Sequence, residues 1–109
     1  SNLPAVSAEA VKKYIDDNET FTRDFFAEHF PEFHIYPREG TYLLWIDYEK
    51  TGLNEKQLEE WFLEKANVSV YMGSVFGEAG NGYIRLNIAS PRPMLEEAYN
   101  RMLNVWKNW

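Results

Sequence analysis

An arginine lies in the middle of a stretch otherwise built as a strand. In GNGYIRLNIASPRP, residues 80–93, apolar residues recur at period two. That alternation puts Ile84, Leu86 and Ile88 on one face and Tyr83, Arg85, Asn87 and Ala89 on the other. Arg85 therefore points away from the core. A guanidinium carries five N–H donors in one plane, a match for the two oxygens of a carboxylate or for a phosphate. The pattern leaves two readings open: a solvated arginine, free or paired with a nearby carboxylate, as most surface arginines are, or a fork that grips the anionic end of a ligand.

The other residues with chemical capacity form no constellation. His29 and His34 are the only histidines, their spacing matches no metal motif, and no cysteine is present to complete one. Asp16–Asp17, Glu59–Glu60 and Glu96–Glu97 are sequence neighbours, which do not face each other on a helix, so they read as solvated helix faces. Ser7, Ser69, Ser74 and Ser90 sit in no nucleophile motif. The loop MGSVFGEAGNG lacks the Gly-Lys-Ser/Thr ending of a phosphate loop and leads into a strand, not a helix. Its glycines read as positions of positive φ in a tight exposed loop. On the residues alone, Arg85 is an anchor with no acid, base or nucleophile around it. No catalytic, metal or cofactor-binding residue is assigned to this chain.

Composition narrows the class. A length of 109 residues suits a single domain. An apolar content of 45% is too high for a disordered chain. Four Trp, seven Tyr and seven Phe are many rings for so small a core, so part of the aromatic surface is expected to lie against something else. A net charge of −6 argues against nucleic acid and against an anionic membrane surface. No apolar run approaches the ~20 residues a membrane helix needs. The absence of cysteine and of a signal-peptide pattern fits a cytoplasmic protein. The opening Ser1–Asn2 reads as a tag remnant.

The elements that must position Arg85 follow from periodicity. Residues 7–30 read as a helix capped by Ser7, with Val11, Tyr14, Ile15, Phe21, Phe25 and Phe26 at helical spacing and Pro31 ending it. Phe33 and Ile35 alternate with polar neighbours in a short strand, and PREG turns the chain. TYLLWIDYE is a second strand, with Leu43, Trp45 and Asp47 on one face and Tyr42, Leu44 and Ile46 on the other. Apolar residues on both faces suggest a central strand covered on both sides. Asn54 and Gln57 form a capping box before a helix that buries Leu58, Trp61, Phe62 and Ala66. VSVYMG is a third strand and YIRLNIA a fourth. Ser90 and Pro91 open a last helix with Met94, Leu95, Ala98, Tyr99, Met102, Leu103 and Trp106 on its stripe. The Trp106–Trp109 end is expected to dock on the sheet or on a missing neighbour. This order predicts an α+β fold, a small mixed or antiparallel sheet packed with helices.

PREGTYLLWIDYEKTGL, followed by GSVFGEAGNGYIRLNIASPRPMLEEAYNRM, resembles the C-terminal end of the fold-type I pyridoxal-phosphate enzymes. The resemblance is strongest to the cystathionine β-lyases of the MalY and PatB kind, among the class I and II aminotransferases. It runs from about Lys12 to Met102. GTYLLWID combined with FG…G.G.IRLN.A.P is specific, whereas either half alone is weak. The resemblance implies that residues 1–109 are the small C-terminal domain of a larger pyridoxal 5'-phosphate enzyme, with residues 7–30 the end of the helix joining two domains. It implies that Arg85 binds the α-carboxylate of an amino-acid substrate. It places the Schiff-base lysine, the phosphate cradle and the aspartate facing the pyridine nitrogen in a large domain upstream. Lys12, Lys13, Lys50, Lys56, Lys65 and Lys107 all lie outside a Ser-x-x-Lys context. The chain by itself is thus expected to be inactive and to bind no cofactor tightly, and the intact enzyme to be a homodimeric C–S lyase or aminotransferase. The rival reading is a stand-alone amino-acid-binding or regulatory α+β module.

Overall fold

Ser7 opens the first helix as its sequence position requires: its Oγ accepts the Ala10 N–H at 3.0 Å. The computed structural model describes residues 7–106, so Ser1–Asn2 and residues 107–109 lie outside the described residues. Helix α1 spans Ala8–His29, and its buried positions are Asn18, Thr22 and Phe26. This corrects the expected stripe. Val11 and Tyr14 are exposed, and two of the three buried side chains are polar. Polar groups can be buried there because each is satisfied. Thr22 Oγ1 lies 2.7 Å from the Tyr99 hydroxyl. Asn18 donates to the Ile88 and Ser90 carbonyls and accepts from Arg92 Nε.

Strands β1 (His34–Ile35), β2 (Leu43–Asp47), β3 (Tyr71–Met72) and β4 (Tyr83–Asn87) form one sheet in the order β1-β2-β4-β3, every pairing antiparallel. The fold is α+β. One face carries Leu44, Ile46, Ile84 and Leu86, all buried with Phe26, Phe30, Trp61, Phe62 and Tyr99 from the helical layer. The opposite face carries Leu43, Trp45, Asp47, Tyr83 and Arg85, which stay half-buried. Strand β2 is flanked on both edges as expected, but among the described residues only one of its faces is fully covered. The third strand is also shorter than its sequence suggests: only Tyr71 and Met72 join the ladder, while the Val68 N–H is taken by the Phe62 carbonyl.

Helix α2 (Glu55–Glu59) starts at the expected Asn54–Gln57 capping box and runs on as a wider π turn, Glu60–Lys65, before Asn67 leaves it at φ 54°. Helix α3 is Arg92–Asn104, with Pro91 in the cap position and no side-chain cap bond. Ser90 is therefore not the N-cap. A cap at Ser90 would place Pro93, which has no N–H, where the third-position donor belongs. Ser90 instead presents its carbonyl to Asn18. Met94 is exposed, off the α3 stripe, while Leu95, Tyr99 and Met102 are buried. Trp106 docks on rings of the core, 4.4 Å from Trp61 and 5.4 Å from Phe30 between centroids.

Candidate functional site

The half-buried face of the sheet is where Arg85 lies. Antiparallel register sets it opposite Trp45 on β2 and opposite Tyr71 on β3. Arg85 and Trp45 border a cleft of about 640 Å³ whose lining includes Tyr36, Glu39, Leu43 and Tyr83. The loop between β3 and β4 contributes the other side. It consists of two tight turns, Gly73–Phe76 and Glu78–Gly80. Gly77 and Gly82 hold the positive φ expected of this loop, but Gly73 and Gly80 are glycines for a different reason. Their backbones cross so closely that a Cβ on either would overlap the other's carbonyl oxygen.

The Arg85 guanidinium carbon lies 5.0 Å from the Trp45 ring centroid and 4.7 Å from that of Phe76. Arg85 Nε is buried without a hydrogen-bond partner, and no ion pair or hydrogen bond ties the side chain to any other described residue. The other arginines differ. Arg23 and Arg38 share the Glu19 carboxylate, Arg92 bonds Asn18 and the Asp17 carbonyl, and Arg101 bonds the Ala66 carbonyl and Glu97. Arg85 is thus not held by a carboxylate among the described residues; the pattern's remaining alternatives are a free arginine and a fork for a ligand. A buried donor without a partner costs roughly 1–3 kcal/mol, more when charged, so it is a site where an acceptor is strongly favoured.

Two phenols sit at the rim. The Tyr36 and Tyr83 rings lie 5.8 Å apart, and the hydroxyl of Tyr83, with some burial, raises the Tyr36 phenol above its ordinary value. The histidines lie outside the cleft lining: His29 rests on Phe25 and His34 against Tyr36, each with centroids 4.5 Å apart. Asp16 and Asp17 pair with Lys12 and Lys13 on the α1 surface, and Asp16 also reaches Arg38. Sequence reasoning missed Phe76 and Tyr36 as companions of Arg85. The alternation of β2 had put Trp45 on one face, but only the register of the ladder shows that this is the arginine's face.

An antiparallel sheet backed by helices, with a guanidinium unpaired among the described residues on its open side, makes this an α+β domain with an arginine-bearing cleft. No family model matches the chain. Individual relatives do. It is 31% identical over 97 residues to the MalY protein of Escherichia coli, a match spanning 89% of this chain and 25% of MalY. The structure superposes on cystalysin from Treponema denticola, which contains a pyridoxal 5'-phosphate cofactor, with TM-score 0.84 and 34% identity over 92% of this chain and 25% of that one. An aromatic aminotransferase from Pyrococcus horikoshii matches with TM-score 0.78 and 30% identity over 94% of this chain and 28% of its own. The chain belongs to the fold-type I pyridoxal-phosphate enzymes; its relatives include MalY, the cystathionine β-lyase PatB of Bacillus subtilis and aminotransferases, and it spans about a quarter of their length.

Proposed function

We propose that this chain is the C-terminal small domain of a pyridoxal 5'-phosphate enzyme and serves as its substrate-carboxylate arm, with Arg85 as the carboxylate ligand. One observation carries the reading: Arg85 lines the cleft with a buried Nε that has no partner, and no carboxylate among the described residues pairs with it. The cleft fits the anionic end of an amino acid better than it fits the cofactor, since among the described residues no lysine lines it to meet an aldehyde. In the whole protein the bound cofactor supplies the electron sink. The part played here is orientation: a planar fork holds both carboxylate oxygens and so fixes how the substrate's Cα is presented. That contact serves a C–S lyase and an aminotransferase alike. The MalY-like likeness favours a lyase of the cystathionine β-lyase type. The same reading makes residues 7–30 the end of an interdomain helix, the whole enzyme a cytoplasmic homodimer, and the chain by itself inactive.

The test is Arg85→Ala in the whole protein. Loss of two charge-assisted hydrogen bonds predicts a fall in kcat/KM for amino acids of at least about a hundredfold. Arg85→Lys, which keeps the charge and loses the fork, should recover only part of it. An unchanged kcat/KM in Arg85→Ala would sink the carboxylate role.

A further inference from the structure

We infer that Trp45 and Phe76 are positioning residues for Arg85, holding its guanidinium by ring contact so that its N–H donors stay free for the ligand. The inference rests on Arg85 being the carboxylate fork and asks what keeps that fork in place.

Arginines in this fold are fixed in two ways. Arg23, Arg38 and Arg101 are held by carboxylates and carbonyls. Arg92 lies against a ring, with its guanidinium carbon 4.6 Å from the Phe21 centroid, but it also gives Nε and Nη2 to Asn18 and the Asp17 carbonyl. Each such bond uses a donor that a ligand could have taken. Arg85 alone among these five has ring contacts and no hydrogen bonds to described residues. A ring face attracts a cation through its quadrupole, and the attraction grows where water is excluded. It therefore fixes the position of the group while leaving every N–H unspent.

The geometry is a notch. The Trp45 and Phe76 rings have centroids 5.8 Å apart and planes 63° apart, with the guanidinium carbon about equally far from both. The two walls are held independently. Trp45 is set by the β2–β4 register, directly across from Arg85. Phe76 ends the first loop turn, and the crossing of Gly73 with Gly80 fixes that loop. Phe76 is 47% exposed, so burial alone gives it little reason to be aromatic.

Two measurements test this. In the 109-residue chain, nitrogen-15 NMR reads the arginine Nε–H signals, with Arg85 assigned by its loss in Arg85→Lys. Ring currents should displace the Arg85 signal from the position of free arginine. Phe76→Leu and Trp45→Leu should each return it toward that position, while the other four Nε–H signals stay put and report an intact fold. In the whole protein, Phe76→Leu should lower kcat/KM for amino acids about tenfold, mostly through KM, the scale of one lost cation–ring contact. Added to Arg85→Lys, it should cost nothing further, since the residues act as one unit.

An Arg85 signal at the free-arginine position, or one unmoved in both variants, overturns the inference. So does a Phe76→Leu enzyme with unaltered kcat/KM when Arg85→Ala is impaired. If Arg85→Ala is itself without effect, the carboxylate reading fails, and the NMR result still decides whether the rings hold the arginine.

Discussion

At the scale of the residue, Tyr99 carries a pH dependence that follows from its burial. It is fully buried among Phe21, Phe25 and Phe26, with its hydroxyl 2.7 Å from Thr22 Oγ1. Burial pushes its phenol up to about 12, although Thr22 and the Arg92 charge pull the other way. The unfolded phenol releases its proton near 10.0. Stability from this group is thus complete below that pH and is lost as the pH rises toward 12. The full loss is roughly 2–3 kcal/mol. Tyr99→Phe should flatten this alkaline decline in urea unfolding curves measured between pH 9 and 12. At neutral pH the same variant should be destabilised by about 1–2 kcal/mol, because Thr22 is left buried without its partner. A variant that declines as steeply as the parent would place the alkaline sensitivity on other tyrosines. Tyr36 and Tyr48, also raised, are the next candidates.

At the scale of the element, the loop between β3 and β4 borders the candidate site and is held by backbone contact. Gly73 and Gly80 pass so closely that neither has room for a side chain, and Gly80→Ala must push the two turns apart. The cost should be about 2–3 kcal/mol in thermal or urea unfolding, typical of overpacking against immobile backbone. The larger effect should be on Phe76, whose turn moves. The same substitution at Gly40, where no atom lies within 4 Å, meets only the φ of +77°, so it should cost less. Equal losses at the two glycines would show that positive φ, and not the crossing, is what matters. Element types were legible in the sequence because period-two and period-3.6 patterns are strong over β2, β4, α2 and α3. Boundaries were not. A helix start beside Pro91 and Pro93 depends on which donors are missing, and the end of β3 depends on which partner takes the Val68 N–H. The buried Asn18 and Thr22 of α1 escaped periodicity altogether, since their partners, Ile88, Ser90 and Tyr99, are about 70 residues away.

At the scale of the whole molecule, the surplus of rings divides between two places. Phe26, Phe30, Phe33, Trp61 and Trp106 form one continuous aromatic cluster in the core. Tyr36, Trp45, Tyr71, Phe76 and Tyr83 lie on or beside the open face of the sheet, with Tyr71 at 60% exposure. Composition could say that there were too many rings for one core, but not which would be left over, because that depends on the strand register. The site was legible to the same extent: Arg85 followed from alternation, while its notch required a ladder and a loop to meet. If this open face is half of a cleft closed by the rest of a longer protein, cofactor chemistry should depend on that remainder. A visible absorption spectrum taken with pyridoxal phosphate present tests this directly, comparing the full-length product of the gene with the 109-residue chain. The expected outcome is a protein-bound cofactor band in the long form alone, because no lysine among the described residues lines the cleft to hold an aldehyde. A band of equal strength in the short chain would mean that one of its own lysines captures the cofactor, and the assignment of Arg85 to an isolated carboxylate arm would have to be withdrawn. A band in neither would shift the reading to a module that grips carboxylates without transforming them, and Arg85 would then be its whole site.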